Sequence, residues 1–300
     1  MAVAPHALAA QSALEVLREG GNALEAMIAA AATIAIVYPH MNSIGGDSFW
    51  LMHVPGKAAG AIDACGAAAG RASIDWYRDH GVRNHIPFRG GLAANTVAGT
   101  VAGWGAALSL SRRALRGRMP LSRLLADAIY YANKGVPVTV SQASSTAKKL
   151  GELKSQPGFA QAFLEDGKVP ATGGLFVQER IGAVLERLAK AGTDDYYRGD
   201  IARAIAKDLA RIGSPINLRD LHAHSAQLAD PLRIRHSAGT LYNTMPPTPF
   251  VAAVDPDTLV DAFHLELENL RIGIDMSVNA VGLDQLGEAG NFFVQHGGPP

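Results

Sequence analysis

Between Gly20 and Pro39 the chain reads as a stop, a cap and then a helix with no polar face. Gly20-Gly21 ends a preceding helix, because glycine accepts the left-handed backbone that a helix end needs. Asn22 caps the next helix, and Glu25 three positions on completes a capping box. Ala23 to Tyr38 then carries small or apolar side chains all round. A helix of that kind is stable only when other elements wrap it, so the segment demands a substantial core. Its apolar run, Ala26 to Tyr38, is shorter than the ~17 residues that span a bilayer, and Pro39 ends it. A buried core helix is expected, and no membrane span.

The remaining sequence can supply the wrapping. At 300 residues, 48% hydrophobic and 18% charged, the composition is globular and sufficient for one large or two small cores. Ala10, Ala13, Leu14 and Leu17 place a helix over Ala7 to Glu19. Ser48 to Val54 and Ala58 to Asp63, separated by Pro55-Gly56-Lys57, predict a β-hairpin. Leu121, Leu124, Leu125 and Ala128 mark a helix begun by Pro120. Val177, Ile181, Val184, Leu185 and Leu188 mark another, ended by Gly192, and Ile201, Ile205, Leu209 and Ile212 a third, ended by Gly213. Leu232 to His236 and Thr240 to Thr244 alternate around Ser237-Ala238-Gly239 as a second hairpin.

Charge and cysteine usage exclude some classes of function. Lys+Arg and Asp+Glu are equal at 27, which gives no basic surface for nucleic acid. Cys65 is the single cysteine, so no intrachain disulfide forms. No basic-then-apolar leader precedes Met1-Ala2-Val3, and a cytoplasmic location is expected. His222-Ala-His224 has a spacing used in metal sites but no supporting third ligand, so it reads as a solvated pair in a strand or turn and no metal is expected. Arg112-Arg113 and Arg116-Gly117-Arg118 read as a solvated loop. His6 and His40 stand at the ends of elements, where a capping or core-satisfying role competes with a hydrogen bond across a pocket.

Several motifs share an order and spacing. They run from Val3-Ala4-Pro5-His6-Ala7-Leu8-Ala9 through Gly20-Gly21-Asn22-Ala23 and Pro39-His40-Met41 to Ile44-Gly45-Gly46-Asp47-Ser48-Phe49-Trp50. Ala98-Gly99-Thr100-Val101-Ala102-Gly103-Trp104, Tyr196 to Ala202, Gly213-Ser214, Asp220-Leu221 and Met245-Pro246-Pro247-Thr248 follow. Each is weak alone; together, over residues 1 to 249, they resemble the large-subunit half of the γ-glutamyltransferase family. Residues 250 to 300 have no counterpart in that pattern.

The resemblance implies an α+β fold: the mostly helical large-subunit portion of the N-terminal-nucleophile hydrolase αββα sandwich. It implies amide hydrolysis or acyl transfer by an N-terminal threonine, whose own amine serves as general base. That threonine is expected in a Thr-Thr-His type run, and no such run occurs in these 300 residues. No catalytic residue is therefore assigned here. The implied partners are a small-molecule amide and a small subunit bearing the nucleophile; self-association is the other way to cover open sheet edges. No cofactor is implied. A truncated or degenerate, catalytically inert member is the competing expectation.

Four residues are the candidates for substrate binding: Gly45, Gly46, Cys65 and Arg71. Gly45-Gly46 is either a turn that needs positive φ or a place of close backbone approach to substrate or small subunit. Asp47 beside it either faces the pocket or caps locally. The resemblance places the glutamate-clamping arginine of the family at Cys65, in the stretch Asp63-Ala64-Cys65-Gly66. A thiol cannot replace the two parallel hydrogen bonds a guanidinium gives a carboxylate. Arg71 is the nearest cation that could substitute. Loss of the clamp arginine together with Ile-Gly-Gly-Asp-x-Phe-Trp is similar to the branch holding oxamate amidohydrolase and cephalosporin-acylase-type relatives.

Overall fold

A computed structural model describes residues 1–54, 56–236, 239–245 and 293–295. The elements begin with α1 (Ala7–Arg18), α2 (Ala23–Val37), β1 (Ser48–Met52), β2 (Gly60–Ala64), α3 (Ile74–Asp79) and α4 (Thr100–Ala114). Next come α5 (Leu121–Leu124), α6 (Ala126–Lys134), β3 (Val136–Pro137), α7 (Val140–Leu153), α8 (Phe159–Phe163) and β4 (Leu175–Phe176). The chain continues with α9 (Glu179–Ala191), α10 (Asp195–Arg198), α11 (Asp200–Arg211), α12 (Leu218–Ala223) and β5 (Gln227–Ala229). The hairpin strands β6 (Leu232–His236) and β7 (Gly239–Asn243) precede β8 (Phe293–Gln295). They divide into two compact units: Met1–Ser48 with Ala64–Ala226, and Phe49–Asp63 with Gln227–Pro300.

In the first unit, α2 is the hub. Asn22 Oδ1 accepts from the amides of Leu24 and Glu25, and Glu25 returns a bond to Asn22 N, the capping box expected from the sequence. Ile28, Ala29, Ala32 and Ile36 are fully buried, and Met27 is exposed. Truncating one buried isoleucine to alanine in such a helix costs ~2–5 kcal/mol. α1 packs against α2, with Thr33 Oγ1 donating to Ser12 Oγ between them. α4, α5 and α6 pack on other sides of α2, and α9 packs on α6. Gln178 Nε2 ties the start of α9 to Ile36 O at 2.8 Å.

Two local expectations are corrected. The single helix after Pro120 is broken at Leu125 into α5 and α6. Leu124 and Leu125 are both fully buried. Arg112 and Arg113 lie not in a loop but in the last turn of α4, where cations meet the negative end of the helix dipole.

In the second unit, β1, β2 and β5 form one sheet, with β2 antiparallel to β5 in the register Ala61↔Ala229, Ile62↔Leu228 and Asp63↔Gln227. Strands β6 and β7 form the expected second hairpin, Leu232 opposite Asn243, and β7 also pairs with β8. Most of the region from 250 onward lies outside the described residues. Among the described residues no helix is long and apolar enough to cross a membrane.

Candidate functional site

Three stretches of the first unit meet at backbone distance: residues 44–48, 64–66 and 97–100. Gly46 O accepts from Gly99 N at 2.8 Å, from Thr100 N at 2.9 Å and from Thr100 Oγ1 at 2.8 Å. The Thr100 hydroxyl also reaches Asp47 O at 3.0 Å, and Ser48 Oγ donates back to Thr100 O at 3.4 Å. The start of α4 thus holds the turn that follows α2. Two glycines make that approach possible. A Cβ on Gly66 would stand 1.7 Å from Val97 O, and one on Gly99 would stand 1.9 Å from Ala64 O.

Asp47 completes the junction. Its Oδ1 accepts from Gly66 N at 2.8 Å and its Oδ2 from Cys65 Sγ at 3.5 Å. The carboxylate is therefore more than a cap on its own turn; it brackets the segment 19 residues downstream. An anion beside Cys65 is the opposite of the electropositive setting that activates a cysteine nucleophile. Behind the junction, Tyr196 donates to Ile44 O at 3.1 Å. Tyr197 donates to Ala98 O at 2.8 Å and accepts from Ala102 N at 2.9 Å. Burial pushes both phenols well above the ordinary tyrosine range, so they act as neutral struts.

The positive-φ reading of Gly45-Gly46 is corrected: neither residue lies in the left-handed region. A Cβ on Gly46 would meet nothing within 4 Å, and one on Gly45 only Ser43 Oγ at 3.5 Å. Among the described residues nothing requires glycine at these two places, and Gly45 is exposed. The bare edge they form, beside Asp47 and Cys65, is open to a group approaching from outside.

The other candidates fall elsewhere. After Gly66 the chain runs antiparallel to residues 95–97, with Ala68 opposite Thr96, and then turns. Arg71 follows that turn, exposed, and lines a cleft with Trp76 and His80. His40 packs edge-on against Tyr38 with ring centroids 4.3 Å apart, and burial lowers its pKa. His6 caps α1 through its ring nitrogen at 3.2 Å from Leu8 N. The solvated reading of the histidine pair is corrected in half. His222 is exposed on α12, whereas His224 is buried with its ring 5.2 Å from that of Tyr197. Among the described residues, no group of three or more His, Cys, Asp or Glu is placed to hold a metal.

The sequence did not single out Thr100, Tyr196, Tyr197, Gly66 or Gly99 for this junction. Only the presence of Gly99-Thr100 and Tyr196-Tyr197 in the shared motifs hints at them, because close approach between distant backbones has no local signature.

The Gamma-glutamyltranspeptidase family model matches residues 9–271. The chain belongs to this family. It is 53% identical over 248 residues to the oxamate amidohydrolase proenzyme of Klebsiella pneumoniae subsp. pneumoniae, covering 83% of this chain and 46% of that protein. It is 36% identical to a glutathione hydrolase-like proenzyme of Bacillus subtilis, covering 82% and 46% respectively. This gamma-glutamyltranspeptidase-family chain therefore spans about half the length of the curated relatives it matches. Among solved structures it resembles a gamma-glutamyltranspeptidase from Pseudomonas nitroreducens complexed with L-DON. That match has a TM-score of 0.75 at 28% identity, over 93% of this chain and 79% of that one. A cephalosporin acylase from Bacillus halodurans matches with a TM-score of 0.73 at 26% identity, over 80% and 44%. The fold class is thus the expected one, α+β and mostly helical, the large-subunit portion of an N-terminal-nucleophile hydrolase.

Proposed function

We propose that this chain is the large-subunit portion of an N-terminal-nucleophile amidohydrolase that cleaves a small amide of the oxamate kind rather than a γ-glutamyl compound. The nucleophilic threonine comes from a Thr-Thr-His type segment outside these 300 residues. Its amine takes the hydroxyl proton, the oxygen attacks the amide carbonyl, and backbone N–H groups hold the resulting oxyanion. The amide nitrogen leaves as an amine or ammonia, and water releases the acyl group. The chain described here contributes one wall: the open Gly45-Gly46 edge and the Asp47–Cys65 bracket.

The observation that carries the reading is the thiol of Cys65 bound to the Asp47 carboxylate where the resemblance places a clamping guanidinium. A bidentate arginine–carboxylate contact is worth on the order of 2–4 kcal/mol, roughly a hundredfold in affinity. Its absence penalises a γ-glutamyl substrate, whose α-carboxylate lies several carbons from the scissile carbonyl. Oxamate bears its carboxylate directly on that carbonyl, out of reach of a clamp built for the longer group. The relative at 53% identity carries the name oxamate amidohydrolase, which supports the same choice.

The experiment is ammonia release from oxamate by the full-length protein carrying its nucleophile segment, with γ-glutamyl anilide in parallel. Oxamate turnover with the anilide at background is the expected pattern. Turnover of neither would favour an inert member of the family.

A further inference from the structure

A cleft of about 260 Å³ lies between α3 on one side and α11 with the start of α12 on the other. Its lining is largely apolar and includes Ala206, Ala210, Ile216, Leu218 and Trp76. Trp76 and His80, one helical turn apart, stack at 3.8 Å between centroids and 23° between planes. The His80 ring nitrogen Nδ1 lies 2.7 Å from Trp76 O. A carbonyl only accepts, so Nδ1 carries the proton and the imidazole is fixed flat against the indole.

Two polar groups in this lining have hydrogen-bonding capacity to spare. The Arg71 guanidinium makes no hydrogen bond or ion pair with any described residue. Asp220, which binds the residue before Arg71, is already committed: Oδ1 accepts from Gly70 N at 2.9 Å and Oδ2 from Asn217 N at 2.9 Å. Asn217 uses its side-chain oxygen to accept from Arg219 N at 2.8 Å. That bond fixes the orientation of the amide and leaves its NH₂ as a donor. One unneutralised cation, one amide donor and a mostly apolar lining with a ring platform are the ingredients of a small-molecule site.

We propose that this cleft binds a small amphipathic monocarboxylate, with its carboxylate on Arg71 and the Asn217 amide and its planar apolar body over Trp76. A phosphate or dicarboxylate fits less well, because Arg71 is the one permanent cation in the lining. The proposal is independent of the amide cleaved, since it rests only on these groups.

The probe is benzoate, titrated into the full-length protein by calorimetry and by tryptophan fluorescence. Saturable binding is expected, with benzyl alcohol, the same ring without the charge, binding at least about tenfold more weakly. Arg71→Gln should weaken benzoate about tenfold or more while leaving the melting temperature unchanged, because the guanidinium has no partner among the described residues to lose. Trp76→Leu should remove the fluorescence response and weaken benzoate and benzyl alcohol alike. Absence of saturable binding overturns the proposal, as does benzoate affinity unchanged by Arg71→Gln. Equal binding of phosphate and benzoate by the native protein also overturns it, in favour of a simple anion site.

Discussion

Replacing Gly66 and Gly46 by alanine, one at a time, separates structural glycine from glycine kept bare for an outside group. At Gly66 the new methyl would stand 1.7 Å from Val97 O and 3.2 Å from Asp47 Oδ1. Carbon and oxygen cannot approach that closely, and both neighbours belong to the junction, so the two backbones must part by more than an ångström. Parting strains the bond from Val97 N to Ala67 O at 2.9 Å and that from Gly66 N to Asp47 at 2.8 Å. Overpacking of this kind costs ~1–3 kcal/mol and each weakened hydrogen bond up to ~1 kcal/mol, which gives about 3 kcal/mol for Gly66→Ala. At Gly46 the methyl meets nothing within 4 Å and the backbone is not left-handed, so stability should change by less than ~0.5 kcal/mol. If substrate or the nucleophile subunit approaches this edge, Gly46→Ala should nevertheless lower kcat/KM for the amide by about tenfold or more, ~1.4 kcal/mol. Urea unfolding followed by circular dichroism gives the first quantity and ammonia release the second. A loss below ~1 kcal/mol for Gly66→Ala would refute the close-approach argument. Full activity of Gly46→Ala would remove the Gly45-Gly46 edge from the site.

Four further outcomes follow from particular contacts. Glu25 is buried and accepts from Asn22 N and Met119 N, both at 2.9 Å, so Glu25→Ala leaves two amides without their acceptor. A loss of ~2–4 kcal/mol is expected by urea titration, and a loss under ~1 kcal/mol would contradict it. Burial lowers the pKa of His40, so the stability it contributes is present above its unfolded value of about 6.5 and is lost as pH falls through the folded value. His40→Phe should therefore gain on the native protein in melts at pH 5 relative to pH 8, and an equal difference at the two values would count against this. The Arg187 guanidinium hydrogen-bonds Asp195 at 2.7 and 3.1 Å and holds its carboxyl below the usual range. That stability is present above the unfolded value of about 3.9 and is lost as pH falls through the folded one, so Asp195→Asn should flatten the acid limb of the stability curve. Cys65→Arg should raise γ-glutamyl turnover toward that of clamp-bearing relatives; unchanged specificity would show that position 65 does not face the substrate's amino-acid end.

The sequence was most informative where the physics is local. The capping box at Asn22 and Glu25, the all-apolar α2 and both hairpins depend on neighbours in the chain, and all are found. Leu125 shows the first limit: periodicity marks which residues seek the core, and Leu121, Leu124 and Leu125 reach it, but the break at Leu125 leaves no mark in that periodicity. His224 shows the second, since its burial beside Tyr197 is decided by α10, some distance away in sequence. At the candidate site, Cys65 and the Gly45-Gly46 pair could be picked out by resemblance, whereas what Asp47 does could not. Its partners, Cys65 and Gly66, are 18 and 19 residues away, and they meet only because Gly66 and Gly99 let three backbones touch.

The Asp47-bracketed thiol of Cys65, standing where the resemblance places a clamping guanidinium, carries the proposed preference for a short amide. The most direct measurement is the ratio of kcat/KM for oxamate to that for γ-glutamyl anilide, taken on the full-length protein with its threonine segment present. A ratio well above one, with the anilide at background, is what the Asp47–Cys65 geometry predicts. A ratio below one, with strong γ-glutamyl turnover by the native protein, would contradict it.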